Sequence, residues 1–150
     1  MALMGIQNRP FQVLLVEDDP GDARLTSEAL KKTGYRNQVT LAVDGEKALD
    51  CLFQRGAYSN TPLPDLVLLD LNLPRVNGHD VLREIKDDAR LKRIPVVILS
   101  SSNAEEDIQR AYNAHANCYV TKPIGLAPYF SAIQGIGDFW FKFAKLAGEN

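Results

Sequence analysis

At 150 residues, 45% of them hydrophobic, the chain can bury one αβ core and is too short for two ordinary domains. Lys and Arg total 17 against 19 Asp and Glu, and a net charge of −2 gives no electrostatic reason to expect direct nucleic-acid binding. No apolar run reaches the roughly 20 residues that span a bilayer, and Met1-Ala2-Leu3-Met4-Gly5 lacks a basic region followed by a hydrophobic core, so a cytoplasmic protein without membrane or nucleic-acid contacts is expected.

Residues 1–10 read as an N-terminal segment and 11–150 as one domain. Val13-Leu14-Leu15-Val16 is the first strand. Asp19-Pro20 then supplies an N-cap and a proline at the first helical position, with Leu25, Ala29 and Leu30 on one face and Gly34 as the stop. Val39 to Val43 is a weaker strand near an edge, followed by a helix capped by Asp44 and carrying Ala48, Leu49 and Leu52. Residues 54–64 read as a long polar surface loop. Leu66-Val67-Leu68-Leu69 is the third strand, and Asn77-Gly78 opens a helix with Val81, Leu82 and Ile85 inward. Val96-Val97-Ile98-Leu99 is the fourth strand; Asn103 with Glu106 three residues on predicts a capping box for the next helix. Cys118 to Val120 is the last strand, and a closing helix is predicted from about Leu126 to Leu146.

Three of these strands are apolar without polar alternation, which suits strands covered on both faces. Five β-α alternations therefore predict an α/β fold: a doubly wound, five-stranded parallel sheet in flavodoxin-like order, (βα)5. Functional groups in such a sheet gather where strands end in loops. The first strand ends in Glu17-Asp18-Asp19, the third in Asp70, the fourth in Ser100, and the fifth runs into Lys122-Pro123.

Carboxylates converging there would raise one another's pKa unless a cation lay among them. Mg2+ suits the position, since it takes a few carboxylate oxygens and leaves room for phosphate oxygens; nothing resembles the twelve-residue ligand loop calcium favours. A carboxylate beside that ion, Asp70, can attack phosphorus to give an aspartyl-phosphate. Lys122 and Ser100 are placed to stabilise charge on the phosphoryl oxygens. Asp19 is better explained as a helix cap than as a ligand.

These residues resemble the receiver domain of two-component response regulators: Val16-Glu17-Asp18, Leu69-Asp70-Leu71-Asn72-Leu73-Pro74, Gly78, Leu99-Ser100-Ser101 and Tyr119-Val120-Thr121-Lys122-Pro123, across essentially the whole chain after residue 10. The resemblance implies a receiver over 11–150 in which Asp70 is phosphorylated. Asp18 would bind Mg2+ directly, Glu17 directly or through water, and Asn72 through its backbone carbonyl. Ser100 would turn toward the phosphate, Lys122 would be the family's lysine, Tyr119 its aromatic switch, and Pro123 would follow a cis bond. The phosphoryl donor would be a histidine on a separate sensor kinase.

The closing helix carries two adjacent apolar stripes: Leu126, Phe130, Ile133, Gly137, Trp140, Ala144 and Ala147, and beside them Tyr129, Ile136, Phe139, Phe143 and Leu146. One stripe covers the sheet; the second predicts a homodimer through the region of Phe139, Trp140 and Phe143. This tail, the loop at 54–64 and the short chain also resemble the regulators paired with bacterial and cyanobacterial phytochrome kinases. A phosphohydrolase of the haloacid-dehalogenase kind would need an aspartate where Asn72 stands, and a degenerate receiver would lack part of the acidic set. Cys51 and Cys118 read as free thiols in apolar segments, and His79 and His115 as surface or boundary residues.

Overall fold

The computed structural model describes residues 9–147. Five strands, β1 (Phe11–Val16), β2 (Asn37–Ala42), β3 (Leu66–Leu69), β4 (Val96–Ser100) and β5 (Cys118–Thr121), form one parallel sheet in the order β2-β1-β3-β4-β5. The connecting helices are α1 (Pro20–Lys31), α2 (Gly45–Leu52), α3 (Gly78–Asp87), α4 (Glu105–Asn113) and α5 (Leu126–Gly137). This is the expected flavodoxin-like arrangement.

Alternation along the strands divides the core in two, because successive side chains point to opposite faces. Val13 and Leu15 face α1 and α5, joined by Leu66, Leu68, Val97, Leu99, Ala29, Leu30, Tyr129 and Ile133. Leu14 and Val16 face the other side, with Val67, Leu69, Val96, Ile98, Ala48, Leu52, Leu82, Ile85 and Ala111 from α2, α3 and α4. Both faces of the central strands are thus dry, which is why their sequences lack polar alternation.

The helix starts at Asp19, Asp44 and Asn77 form as expected: each side chain accepts a backbone N–H, from Gly21 (3.0 Å), Lys47 (2.8 Å) and Asp80 (3.0 Å). The expected box at Asn103 does not form. Ala104 is the N-cap of α4, and Ser102 Oγ instead donates to Asp107 (2.6 Å), drawing the first turn toward the β4–α4 loop. Helix α1 ends at Lys31, three residues before Gly34, whose φ of 88° turns the chain toward β2. The 54–64 connection is exposed or half-buried apart from Pro64, and includes a short 3-10 turn at Gly56–Tyr58.

The closing helix departs most from expectation. It does not run on to Leu146 as an α-helix; after Gly137 it widens into a π turn at Asp138–Phe143, in which Ala144 N donates to Phe139 O, five residues back. The wider turn keeps Tyr129, Ile133, Gly137 and Phe141 on one side, so neither expected stripe is the buried one. Phe141 is 8% exposed and stacks on Phe11 with ring centroids 4.5 Å apart. Asp138, accepting from Tyr35 Oη (2.7 Å) and Gln134 Nε2 (3.0 Å), ties the start of this turn to the connection between α1 and β2. Among the described residues no helix is long and apolar enough to cross a membrane.

Candidate acidic site at the strand ends

Backbone pairing carries four strand ends to one place. Glu17 N donates to Ala42 O (3.0 Å) and Asp70 N to Val16 O (3.1 Å), setting the ends of β1 and β3 side by side. Lys122 N donates to Ser100 O (2.7 Å), extending the β4–β5 ladder by one residue. Oxygens of Glu17, Asp18 and Asp70 all lie within 4.8 Å of one another. Asn72 follows closely, its N–H donating to Asp70 Oδ1 (3.1 Å).

Lys122 sits inside this cluster. Its ammonium donates to Glu17 Oε1 (2.6 Å), Asp22 Oδ2 (2.9 Å) and Asp70 Oδ2 (2.9 Å). Burial opposes the charge on Lys122, but the bonds to these carboxylates outweigh it and hold the ammonium above its usual range. Burial also pushes the Glu17 carboxyl up to about 7; the Lys122 bond opposes that rise and the charge on Asp70 adds to it. Three carboxylates, Glu17, Asp22 and Asp70, thus bond one ammonium while a fourth, Asp18, lies beside Glu17 and Asp70, and Glu17 and Asp70 are buried. An oxygen-only donor set with surplus negative charge is the chemistry of a hard divalent cation, and a thiolate- or imidazole-seeking metal finds no ligand there.

Ser100 is fully buried and its Oγ accepts from Ser102 N (3.2 Å). Tyr119 is half-buried, its ring against the α2–α4 core and its hydroxyl donating to Ser102 O (2.7 Å). Lys122–Pro123 is trans, since there are no cis peptide bonds among the described residues; this corrects the family-based expectation and is the isomer that X–Pro bonds prefer by about 0.5–1 kcal/mol.

The fold brings Glu17, Asp18, Asp70, Asn72 and Lys122 around one point, with Ser100 and Tyr119 on the adjoining strands. Residues 13–134 match the model of the response regulator receiver domain. The chain belongs to that family. It is 45% identical to response regulator Rcp1 of Synechocystis sp. over 139 residues, covering 93% of this chain and 95% of the relative. Among solved structures it resembles the phosphorylated cyanobacterial phytochrome response regulator RcpA (46% identity, TM-score 0.90) and the Mn(2+)-bound form of Rcp1 (45%, TM-score 0.88), covering 93% of this receiver and 100% of each.

Three features of the receiver escaped the sequence reading. Asp22 joins Lys122 from the first turn of α1. The available signal was a carboxylate in the first turn of a helix that starts at the acidic strand end. Thr26 and Tyr129 share a buried hydrogen bond (2.7 Å) that fastens α1 to α5. His79, expected at the surface or its boundary, is 7% exposed: it is the second residue of α3, with its Nε2 3.6 Å from Asp107 Oδ1, and its Nδ1 is buried without a partner. Burial holds this imidazole below its usual pKa. Cys51 is buried and Cys118 half-buried, and both are free.

Proposed function

We propose that this receiver, residues 11–150 following an N-terminal segment at 1–10, is a single-domain response regulator that accepts a phosphoryl group on Asp70 from a partner sensor histidine kinase, of the phytochrome class. The observation that carries this reading is Asp70 itself. It is a buried carboxylate at a strand end, with a lysine ammonium 2.9 Å away and the oxygens of Glu17 and Asp18 within 4.8 Å. The kinase class rests on the likeness to RcpA and Rcp1.

Glu17, Asp18, Asp70 and the Asn72 carbonyl would hold Mg2+, which when bound neutralises charge on the phosphoryl oxygens. The Asn72 N–H fixes one Asp70 oxygen, leaving Oδ2 on the lysine side. Lys122 donates to the transferred group, and the Ser100 hydroxyl turns toward it. Tyr119 then follows inward and surrenders its bond to Ser102 O, a loss of about 1 kcal/mol that charge-assisted bonds to the phosphate exceed. Asn72 offers no acid to release product, so the chain works as a phosphoacceptor with self-catalysed transfer and autodephosphorylation and does not turn over an outside ester.

The signal leaves through protein contacts in the cytoplasm, without nucleic acid or membrane. Phe139 and Phe143 are 54% and 66% exposed, and Trp140 packs edge-on against Phe139 with ring centroids 4.9 Å apart. A second copy of the chain would cover this aromatic surface as a homodimer, and sedimentation across a dilution series reports it. The deciding experiment is incubation with acetyl phosphate and Mg2+ followed by intact mass: the native chain gains one phosphoryl group and Asp70→Ala gains none. A native chain that gains none sinks the proposal.

A further inference from the structure

A lysine ammonium has three N–H donors, and Lys122 has committed all three, to Glu17, Asp22 and Asp70. Any phosphoryl oxygen that takes a bond from Lys122 must displace one of these acceptors. The side chains of Glu17 and Asp70 are 3% and 9% exposed; that of Asp22 is 36% exposed, so water can replace its lost bond at the least cost. Asp22 also cannot follow the ammonium inward. It sits on the first turn of α1, whose start is held by the Asp19 cap and whose next turn is fastened to α5 by the buried Thr26–Tyr129 bond.

We infer that Asp22 is a positioning residue, acting through Lys122: it parks the ammonium in the unmodified receiver and competes with the incoming phosphoryl group for it, so that it limits how fast Asp70 is phosphorylated. This rests on the phosphoacceptor reading above. In the reaction concerned, an Asp70 oxygen forms its bond to the phosphorus of acetyl phosphate as the bond from phosphorus to the acetate oxygen breaks, with the electron pair leaving on acetate. Asp22 touches none of these atoms. Its carboxylate costs the reaction one ammonium bond and adds one like charge near an anionic donor.

Asp22→Asn keeps the size and removes the charge, and Asp22→Glu keeps the charge on a side chain that still reaches Lys122. At saturating Mg2+, Asp22→Asn is expected to take up phosphoryl from acetyl phosphate about two- to fivefold faster than the native chain, the range that a partly exposed charge pair spans. Asp22→Glu should stay near the native rate. Because a general loosening of the fold would not do so, half-saturation by beryllofluoride, followed by NMR of the Ser100 amide, should fall by a similar factor in Asp22→Asn alone. An Asp22→Asn chain that phosphorylates and binds beryllofluoride like the native one, or more weakly, overturns the role of Asp22 while leaving Asp70 as the acceptor. A native chain that never gains phosphoryl mass overturns both.

Discussion

Gly78→Ala would test how tightly the acceptor loop is built. Gly78 is the first residue of α3, and a Cβ placed there would lie 2.4 Å from Asp70 O, 2.5 Å from Leu71 Cα and 2.9 Å from Leu71 O. All three are backbone atoms, so none can rotate aside, and relief requires the start of α3 to move off the loop that carries Asp70. That movement strains or breaks the bond from Gly78 N to Leu71 O, now 2.9 Å. Overpacking costs about 1–3 kcal/mol and a lost backbone bond about 1 kcal/mol, against a helix-propensity gain of at most about 1 kcal/mol. The net expectation is a loss of about 1–3 kcal/mol, which at a urea m-value of about 2 kcal/mol/M lowers the unfolding midpoint by about 0.5–1.5 M. Gly135→Ala is the matched control, since Gly135 lies inside α5 with nothing within 4 Å of an added Cβ. It should raise the midpoint by a few tenths molar, reflecting about 0.5–1 kcal/mol. Gly78→Ala should also slow phosphorylation of Asp70, whose backbone it displaces. Equal midpoints for native and Gly78→Ala, with equal phosphorylation rates, would refute this account of the loop.

Other expectations follow from the same geometry. Lys122→Met leaves the buried carboxylates of Glu17 and Asp70 without their cation, a loss of about 3–5 kcal/mol by urea unfolding at pH 7.5; the loss should shrink at pH 5, where Glu17 takes up a proton. In chelator, the native chain should gain stability as pH falls from 7.5 toward 5. The folded state raises the Glu17 carboxyl from 4.5 to about 7, so this contribution is complete below pH 4.5 and disappears as pH rises through 7, amounting to about 3 kcal/mol. Glu17→Gln should remove that slope, exposing the opposite and weaker trend from His79, whose lowered pKa costs stability as pH falls below 6.5. Phe141→Ala should cost about 3 kcal/mol in thermal or urea unfolding, for the lost stack on Phe11. Phe139→Ala, at an exposed position, should stay within about 0.5 kcal/mol and instead shift sedimentation toward monomer.

What the sequence alone determined was whatever depends on neighbours in the chain. Apolar runs without alternation required strands buried on both faces, and Asp19, Asp44 and Asn77 could cap helices because an N-cap bond spans two or three residues. Motif order then placed Glu17, Asp18, Asp70, Ser100 and Lys122 at strand ends, which in a parallel sheet is one edge. Only the tertiary structure decided which groups meet across that edge. Lys122 pairs with Asp22, 100 residues away, because Thr26 and Tyr129 bring α1 against α5. His79 is buried because α4 packs over the start of α3 and brings Asp107 within 3.6 Å. The closing helix misled the reading for the same reason: a 3.6-residue period assigns faces only while the helix remains α, and the fit of Phe141 against Phe11 and Tyr35 goes with a wider turn that no local pattern announces.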